Sequence, residues 1–271
     1  MLANTHINSE ARPHSGWELL RDGFPDRPEI GPALSRVLLE QVSAGERPAT
    51  IRLSRPGRVV AFGRRDVVAP GYMDAVVAAS GRGFPGMERI SGGRAAAFTE
   101  GALSLTMTIP DADPTVRTED RFRIWSGLLR QSFADLGVDA RIGAVPGEYC
   151  PGEYSVNSAG RIKLAGAGQR MIRGAAHVGF VILVNNSALA RDVLGPVYSA
   201  LNLDYDGNAV GSLEDVLPGV TLDETEEVIL KRLNQHLDHL AVTLEPVALD
   251  SATLIEAENR ARGFRSPVKP E

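Results

Sequence analysis

Cys150 is the only cysteine in the sequence, and Lys163 is one of just three lysines (with Lys231 and Lys269) among 29 Lys and Arg residues. A thiolate is the nucleophilic form of cysteine, and a nearby cation lowers its ordinary pKa of about 8.5. Cys150 lies between two copies of Pro-Gly-Glu-Tyr, Pro146 to Tyr149 and Pro151 to Tyr154. Proline and glycine favour turns, so the repeat presents the thiol on a loop; the competing reading is a small buried hydrophobe. Lys163 falls in Gly160-Arg161-Ile162-Lys163-Leu164-Ala165-Gly166-Ala167-Gly168-Gln169-Arg170. A strand lysine among small residues can stabilise an oxyanion or hold a neighbouring thiol ionised; it can equally be a solvated edge-strand lysine. A third segment, Arg89-Ile90-Ser91-Gly92-Gly93-Arg94-Ala95, pairs glycines that let the backbone approach a ligand with an arginine that can fork onto a carboxylate, phosphate or carbonyl. Its competing reading is a tight hairpin turn with an exposed arginine.

These residues need elements to hold them. Apolar positions predict a helix over Gly31 to Ser43, strands over Ala49 to Leu53 and Arg58 to Phe62 joined by a turn, and a short helix from Tyr72 to Ala79. A strand around Glu88 to Ile90 precedes the glycines. Leu103, Leu105, Met107 and Ile109 alternate with Ser104, Thr106 and Thr108, and Thr118 to Leu136 is amphipathic with helical spacing. A strand follows over Val138 to Ile142, then a hairpin over Tyr154 to Ala165 turning at Ser158-Ala159-Gly160, a buried strand over Val178 to Val184, and helical pattern from Ser187 onward. A turn near Ala159 places Lys163 opposite Tyr154 or Ser155, leaving Cys150 ~13 Å away along an extended chain. Contact therefore requires the chain to double back, for which Pro151-Gly152 is suited.

A 271-residue chain with 43% hydrophobic residues and a formal charge of −5 holds an ample core and gives no support to a strongly basic nucleic-acid binder. A lone cysteine excludes an intrachain disulfide, which suits a reducing cytoplasm. No secretory signal and no stretch long enough to span a membrane is read, so neither nucleic acid nor membrane is expected as a partner. Hairpins and helices without regular βαβ alternation give an α+β class, with mixed, mainly antiparallel sheets flanked by helices. The expected division is a disordered N-terminus over 1–15, a catalytic domain over 16–210, a small C-terminal helical accessory region over 211–264 and a disordered tail over 265–271.

From about Trp17 to Gly211 the chain resembles the biotin/lipoate protein ligase superfamily, in its lipoate–protein ligase and octanoyltransferase branches. Arg58-Val59-Val60-Ala61-Phe62-Gly63-Arg64 resembles the strand and turn ending in Gly-Arg near the acyl site. Arg89-Ile90-Ser91-Gly92-Gly93 resembles the Arg-Arg-x-Ser/Thr-Gly-Gly signature, and Lys163 with Gly166, Gln169 and Arg170 resembles Lys-x-x-Gly-x-Ala-Gln-Arg. The resemblance implies a catalytic-domain fold of that family, Cys150 and Lys163 as catalytic residues, and Arg64, Arg89, Ser91, Gly92, Gly93, Arg94, Gly166 and Gln169 at the substrate, with no metal ligand. Arg94 after the glycine pair, and a cysteine a dozen or so residues before the lysine, resemble the cysteine-dependent octanoyltransferases. That branch implies ping-pong transfer of an octanoyl or lipoyl group from an acyl carrier protein, through a Cys150 thioester, to a lysine of a lipoyl-domain protein, with no cofactor. Lys163 would keep the thiol ionised and polarise the carbonyl, and glycine-loop N–H groups would contribute to oxyanion binding. The ligase branch implies instead free lipoate or octanoate, ATP and Mg, with Lys163 binding an acyl-adenylate and Cys150 incidental; a non-catalytic acyl- or nucleotide-binding relative is the third reading. The chain departs from the family pattern at Glu88, at Phe98 and Thr99 where His-Asp is usual, and at Val178, with His177 one residue away from the usual histidine.

Overall fold

Alternating apolar residues build the centre of the protein, which the computed structural model describes over residues 16–267. The predicted disorder of residues 1–15 lies outside that range. Strand β1 (Gly16–Leu20) leads to helix α1 (Ile30–Ala44), then to β2 (Thr50–Ser54) and β3 (Val59–Phe62). The two strands of the predicted pair part company. β2 joins an eight-stranded sheet and β3 a separate three-stranded one, because Arg55-Pro56-Gly57 carries the chain between layers. Short helices α2 (Arg64–Val67) and α3 (Tyr72–Ser80) follow, and β4 (Gly86–Glu88) and β5 (Ala96–Phe98) flank β3. The glycine segment is the loop between β4 and β5.

The remaining chain supplies β6 (Ala102–Pro110), α4 (Thr118–Asp135), β7 (Ala140–Ile142), β8 (Val156–Ser158), β9 (Ile162–Ile172), β10 (Ala175–Leu183), α5 (Ser187–Ala200), α6 (Leu222–Asp238), β11 (Thr243–Pro246) and α7 (Ser251–Ala261). The large sheet runs β11-β1-β2-β6-β10-β9-β8-β7, antiparallel from β2 to β7 and parallel where β1 meets β2 and β11. This is the mixed, mainly antiparallel α+β architecture expected. On one face Leu105, Met107, Val178 and Phe180 pack with Trp125, Leu129 and Phe133 of α4 and Ile229, Leu233 and Leu237 of α6. On the other, α1 and α7 cover one end, while the small sheet with α3 and α5 covers the other. Ser104, Thr106 and Thr108 face this second layer and are buried too, so their alternation marks two buried faces rather than one wet one.

The segment after residue 210 holds strand β11 as well as helices, and β11 pairs in parallel with β1 at the sheet edge. The tail expected to be disordered from Arg265 is anchored at its start. Arg265 pairs with Glu29, Ser266 N–H donates to the Gly86 carbonyl, and the Ser266 hydroxyl donates to the Tyr72 hydroxyl. Those partners lie far away in sequence, which is why local composition misses them.

Candidate active site

Cys150 sits in the loop between β7 and β8. Two tight turns fold that loop back on itself: Glu148 N–H donates to the Val145 carbonyl, and Ser155 N–H to the Gly152 carbonyl. The β8–β9 hairpin turns through Ala159 and Gly160, both left-handed at φ 53° and 73°. Its register places Lys163 opposite Asn157, not Tyr154 or Ser155, because the turn is centred one residue later. Val156 and Asn157 oppose Ala165 and Lys163, so Leu164 is an extra residue, a β-bulge. Residues three apart in a regular strand face opposite ways; the bulge brings Lys163 onto the face of Gly166. A Cβ at Gly166 would lie 2.8 Å from Lys163 Cε. The resemblance assigned Gly166 to the substrate; here its missing side chain makes room for the lysine.

Lys163 is not an edge-strand lysine in water. It is fully buried, and its ammonium donates to the carbonyls of Tyr149 (2.9 Å) and Cys150 (2.8 Å) and to Glu148 Oε1 (3.3 Å). It also stands 4.5 Å from the Tyr149 ring centroid. Glu148, equally buried, accepts as well from Val145 N, Gly152 N and Ser155 Oγ, so one carboxylate ties both turns of the loop to the lysine. Cys150 takes a left-handed φ of 42°, a conformation costing a non-glycine residue about 1–3 kcal/mol. Lys163 holds its carbonyl. Its N–H donates to the Tyr198 hydroxyl at 2.6 Å, which in turn donates to the Ala95 carbonyl.

The sulfur meets the glycine loop. Arg94 N–H donates to Cys150 Sγ at 3.2 Å and Arg89 Nη2 at 3.4 Å, and the same Arg89 nitrogen donates to the Arg94 carbonyl. Gly93 is left-handed at φ 102°, and a Cβ there would lie 2.5 Å from Arg89 Nη2 and 2.7 Å from Cys150 Sγ. No side chain fits. Burial pushes the thiol up, but the Arg89 guanidinium, the Lys163 ammonium and the Arg94 N–H outweigh it and hold the pKa below that of an ordinary cysteine. Burial draws Lys163 down, opposed by Cys150 and Glu148.

Other predicted site residues serve the scaffold. Arg94 turns its side chain to Asp66 (3.2 Å) and the Arg65 carbonyl, so its fork finds the protein's own carboxylate. Asp66 also accepts from Gly63 N, and Gly63 is required because a Cβ would lie 2.1 Å from the Gly93 carbonyl. Arg64 is exposed at the start of α2. Ser91 covers Gly168, and Gly92 N–H donates to the Gln169 carbonyl. The Gln169 side chain donates to the Thr118 carbonyl and accepts from Arg121, which fixes α4 to β9. His177 bonds Thr108, and burial with Arg52 nearby lowers its pKa to about 3, so it is neutral. Phe98 and Thr99 are buried, and Glu88 accepts from the Tyr72 hydroxyl. Sequence reasoning missed Glu148 and Tyr198. A lone buried lysine demands a carboxylate, and the first Pro-Gly-Glu-Tyr offered one; nothing near Cys150 pointed to Tyr198 in α5.

A cleft of about 370 Å³ opens beside the sulfur, walled by the glycine loop, by Phe122 and Tyr154 with their rings stacked 5.1 Å apart, and by Met171.

Residues 28–234 match the family described as the lipoyl protein ligase A/B catalytic domain. The octanoyl-GcvH:protein N-octanoyltransferase of Geobacillus kaustophilus is 30% identical over 159 residues, 59% of this chain and 56% of that one. The enzyme of the same name from Exiguobacterium sibiricum is 29% identical over 225 residues, 79% of each chain. A lipoate-protein ligase A crystallised with ATP superposes with a TM-score of 0.73 at 18% identity, covering 91% of this chain and 94% of that one, a likeness of fold. The family match spans most of the chain, and the chain belongs to the lipoyl protein ligase A/B catalytic domain family.

Proposed function

We propose that the protein is a cysteine-dependent acyltransferase that moves an octanoyl or lipoyl group onto a lysine of a lipoyl-domain protein through a Cys150 thioester. The observation that carries this reading is the sulfur held between Arg89 and the Arg94 N–H at the mouth of a cleft, its pKa lowered. A ligase that merely stabilised an adenylate would have no use for a cysteine in a left-handed backbone with three cationic or N–H partners. Similarity to enzymes named octanoyl-GcvH:protein N-octanoyltransferases supports the same reading; that name sets octanoyl-GcvH as donor and a second protein as acceptor, which makes a lipoyl domain other than GcvH the acceptor to test.

In this mechanism the Cys150 thiolate attacks the carbonyl carbon of an acyl thioester on its carrier. The carrier thiolate leaves and takes a proton from solvent, and the acyl group stays on Cys150. The neutral amine of the acceptor lysine then attacks, the C–S bond breaks, and the amide forms with loss of the amine proton and return of the Cys150 thiolate. All three N–H groups of Lys163 already have protein acceptors. Its part is to fix the loop and supply positive charge, so direct contact with the acyl carbonyl, as the family resemblance implies, would require one of those bonds to be given up. Arg89 takes the larger share of thiol activation.

Acyl-enzyme freed of excess octanoyl thioester and mixed with the lipoyl domain of a 2-oxoacid dehydrogenase is expected to lose the acyl mass while the domain gains it, without ATP. Acyl-enzyme that persists while the domain stays unmodified contradicts transfer.

A further inference from the structure

Among the described residues, Arg52 is a buried cation with no ion-pair partner. In register across the large sheet, Arg52 opposes Thr106, Thr106 opposes Gly179, and Gly179 opposes Gly168. Residues opposed in antiparallel strands project to the same face, here the one covered by α1 and the small sheet. The row starts beneath the glycine loop: a Cβ on Gly168 would meet Ser91 Oγ at 3.1 Å, and Gly168 borders the Cys150 cleft. It extends three strand spacings, about 14 Å.

Midway, the covering layer leaves a gap. Gly179 occupies the central strand β10 yet keeps exposed surface. A Cβ there would meet only His177 Nε2 at 3.4 Å and Thr106 Cγ2 at 3.6 Å, both from the sheet itself; among the described residues, nothing from α1 or the small sheet comes within 4 Å. At the far end Arg52 is 5% exposed. Among the described residues only its Nη2 finds acceptors, the Gly31 carbonyl at 3.3 Å and Ser35 Oγ at 3.5 Å, while Nε and Nη1 are buried without partners. Among the described residues no carboxylate forms an ion pair with it; Asp22 attracts it from further off. A guanidinium offers a planar fork matched to a carboxylate. If its purpose were to hold α1, one nitrogen making two long bonds would be a poor device.

We propose that the hollow over Gly179 receives the acyl chain and that Arg52 binds a carboxylate at its far end, so that the acyl group best fitted to this protein is the half-thioester of a dicarboxylic acid of octanoyl length. This rests on the acyl-transfer reading above, with the open cleft at Cys150 serving as the route for carrier and acceptor.

Two arms test it. The full-length protein is incubated with octanoyl-pantetheine or with suberoyl-pantetheine, its dicarboxylic counterpart of equal length, and Cys150 acylation is followed by intact mass. Suberoyl loading is expected to be at least about tenfold faster, and Arg52→Met to reverse the preference. Equal or faster octanoyl loading by the unmodified protein overturns the proposal. In the second arm Cys150→Ala, which cannot be acylated, is melted with free suberate or octanoate. A suberate-specific rise in Tm that Arg52→Met abolishes is expected; no such rise overturns the proposal. If neither thioester loads Cys150, the transfer reading falls, and the binding arm alone decides whether Arg52 receives a carboxylate.

Discussion

Arg89 and Lys163 both place positive charge near Cys150, but they act differently. Lys163 is fully buried, and each of its donors is bonded to the Cys150 loop or to Glu148, so removing Lys163 or Glu148 would strand a charge in the interior and cost about 3–5 kcal/mol of stability. Arg89 touches the sulfur itself and is the cleaner probe. Arg89→Gln removes a cation and a hydrogen bond from beside the thiolate, and the thiol pKa is expected to rise. The check is the pH dependence of iodoacetamide alkylation, whose midpoint moves up in the variant; an unmoved midpoint contradicts the role given to Arg89. A thiol with a lower pKa in the folded than in the unfolded state contributes stability above its ordinary titration range, and that contribution is lost as pH falls through the lowered value.

The glycine loop and the bulged strand β9 bring these residues together. Gly93→Ala puts a methyl where Arg89 Nη2 and Cys150 Sγ already stand and asks alanine to hold φ 102°. The loop must move, and thiol reactivity and acyl transfer are expected to fall by about a hundredfold or more, against about 1–3 kcal/mol of stability read from the melt. Activity near that of the unmodified protein contradicts the close approach. At this scale the sequence was informative about helices and strands, since Thr118 to Leu136 and the strand alternation of residues 103–109 reappear within a residue or two as α4 and β6. It put Cys150 and Lys163 in one short segment, while only the family resemblance implied that the Gly92-Gly93 pair joins them. Their contacts were not legible, because one extra residue, Leu164, decides which face Lys163 takes, and no local pattern announces a bulge. The partners of Cys150 reach it across distances of 48 residues (Tyr198) and 61 residues (Arg89). Gln169 and Arg94 matched a motif yet spend their side chains on the scaffold.

Across the whole molecule the sheet acts as a platform whose two faces have separate tasks. One face is sealed by α4 and α6. Ile229, Leu233 and Leu237 of α6 are fully buried, and at about 1.5–3 kcal/mol for each side chain they contribute an amount comparable with the stability of an entire domain. Residues beyond 210 therefore belong to the core, with α7 packed on α1 and β11 closing the edge beside β1. The other face carries Lys163, Gly179 and Arg52, and above it the glycine loop meets the sulfur. The central claim is that Cys150 carries the acyl group. Intact mass after incubation with an octanoyl thioester tests it most directly, with Cys150→Ala alongside. A single hydroxylamine-labile octanoyl adduct on the unmodified protein, absent from the variant, is the result expected; no adduct, together with lipoate-dependent ATP–pyrophosphate exchange that survives Cys150→Ala, would contradict it.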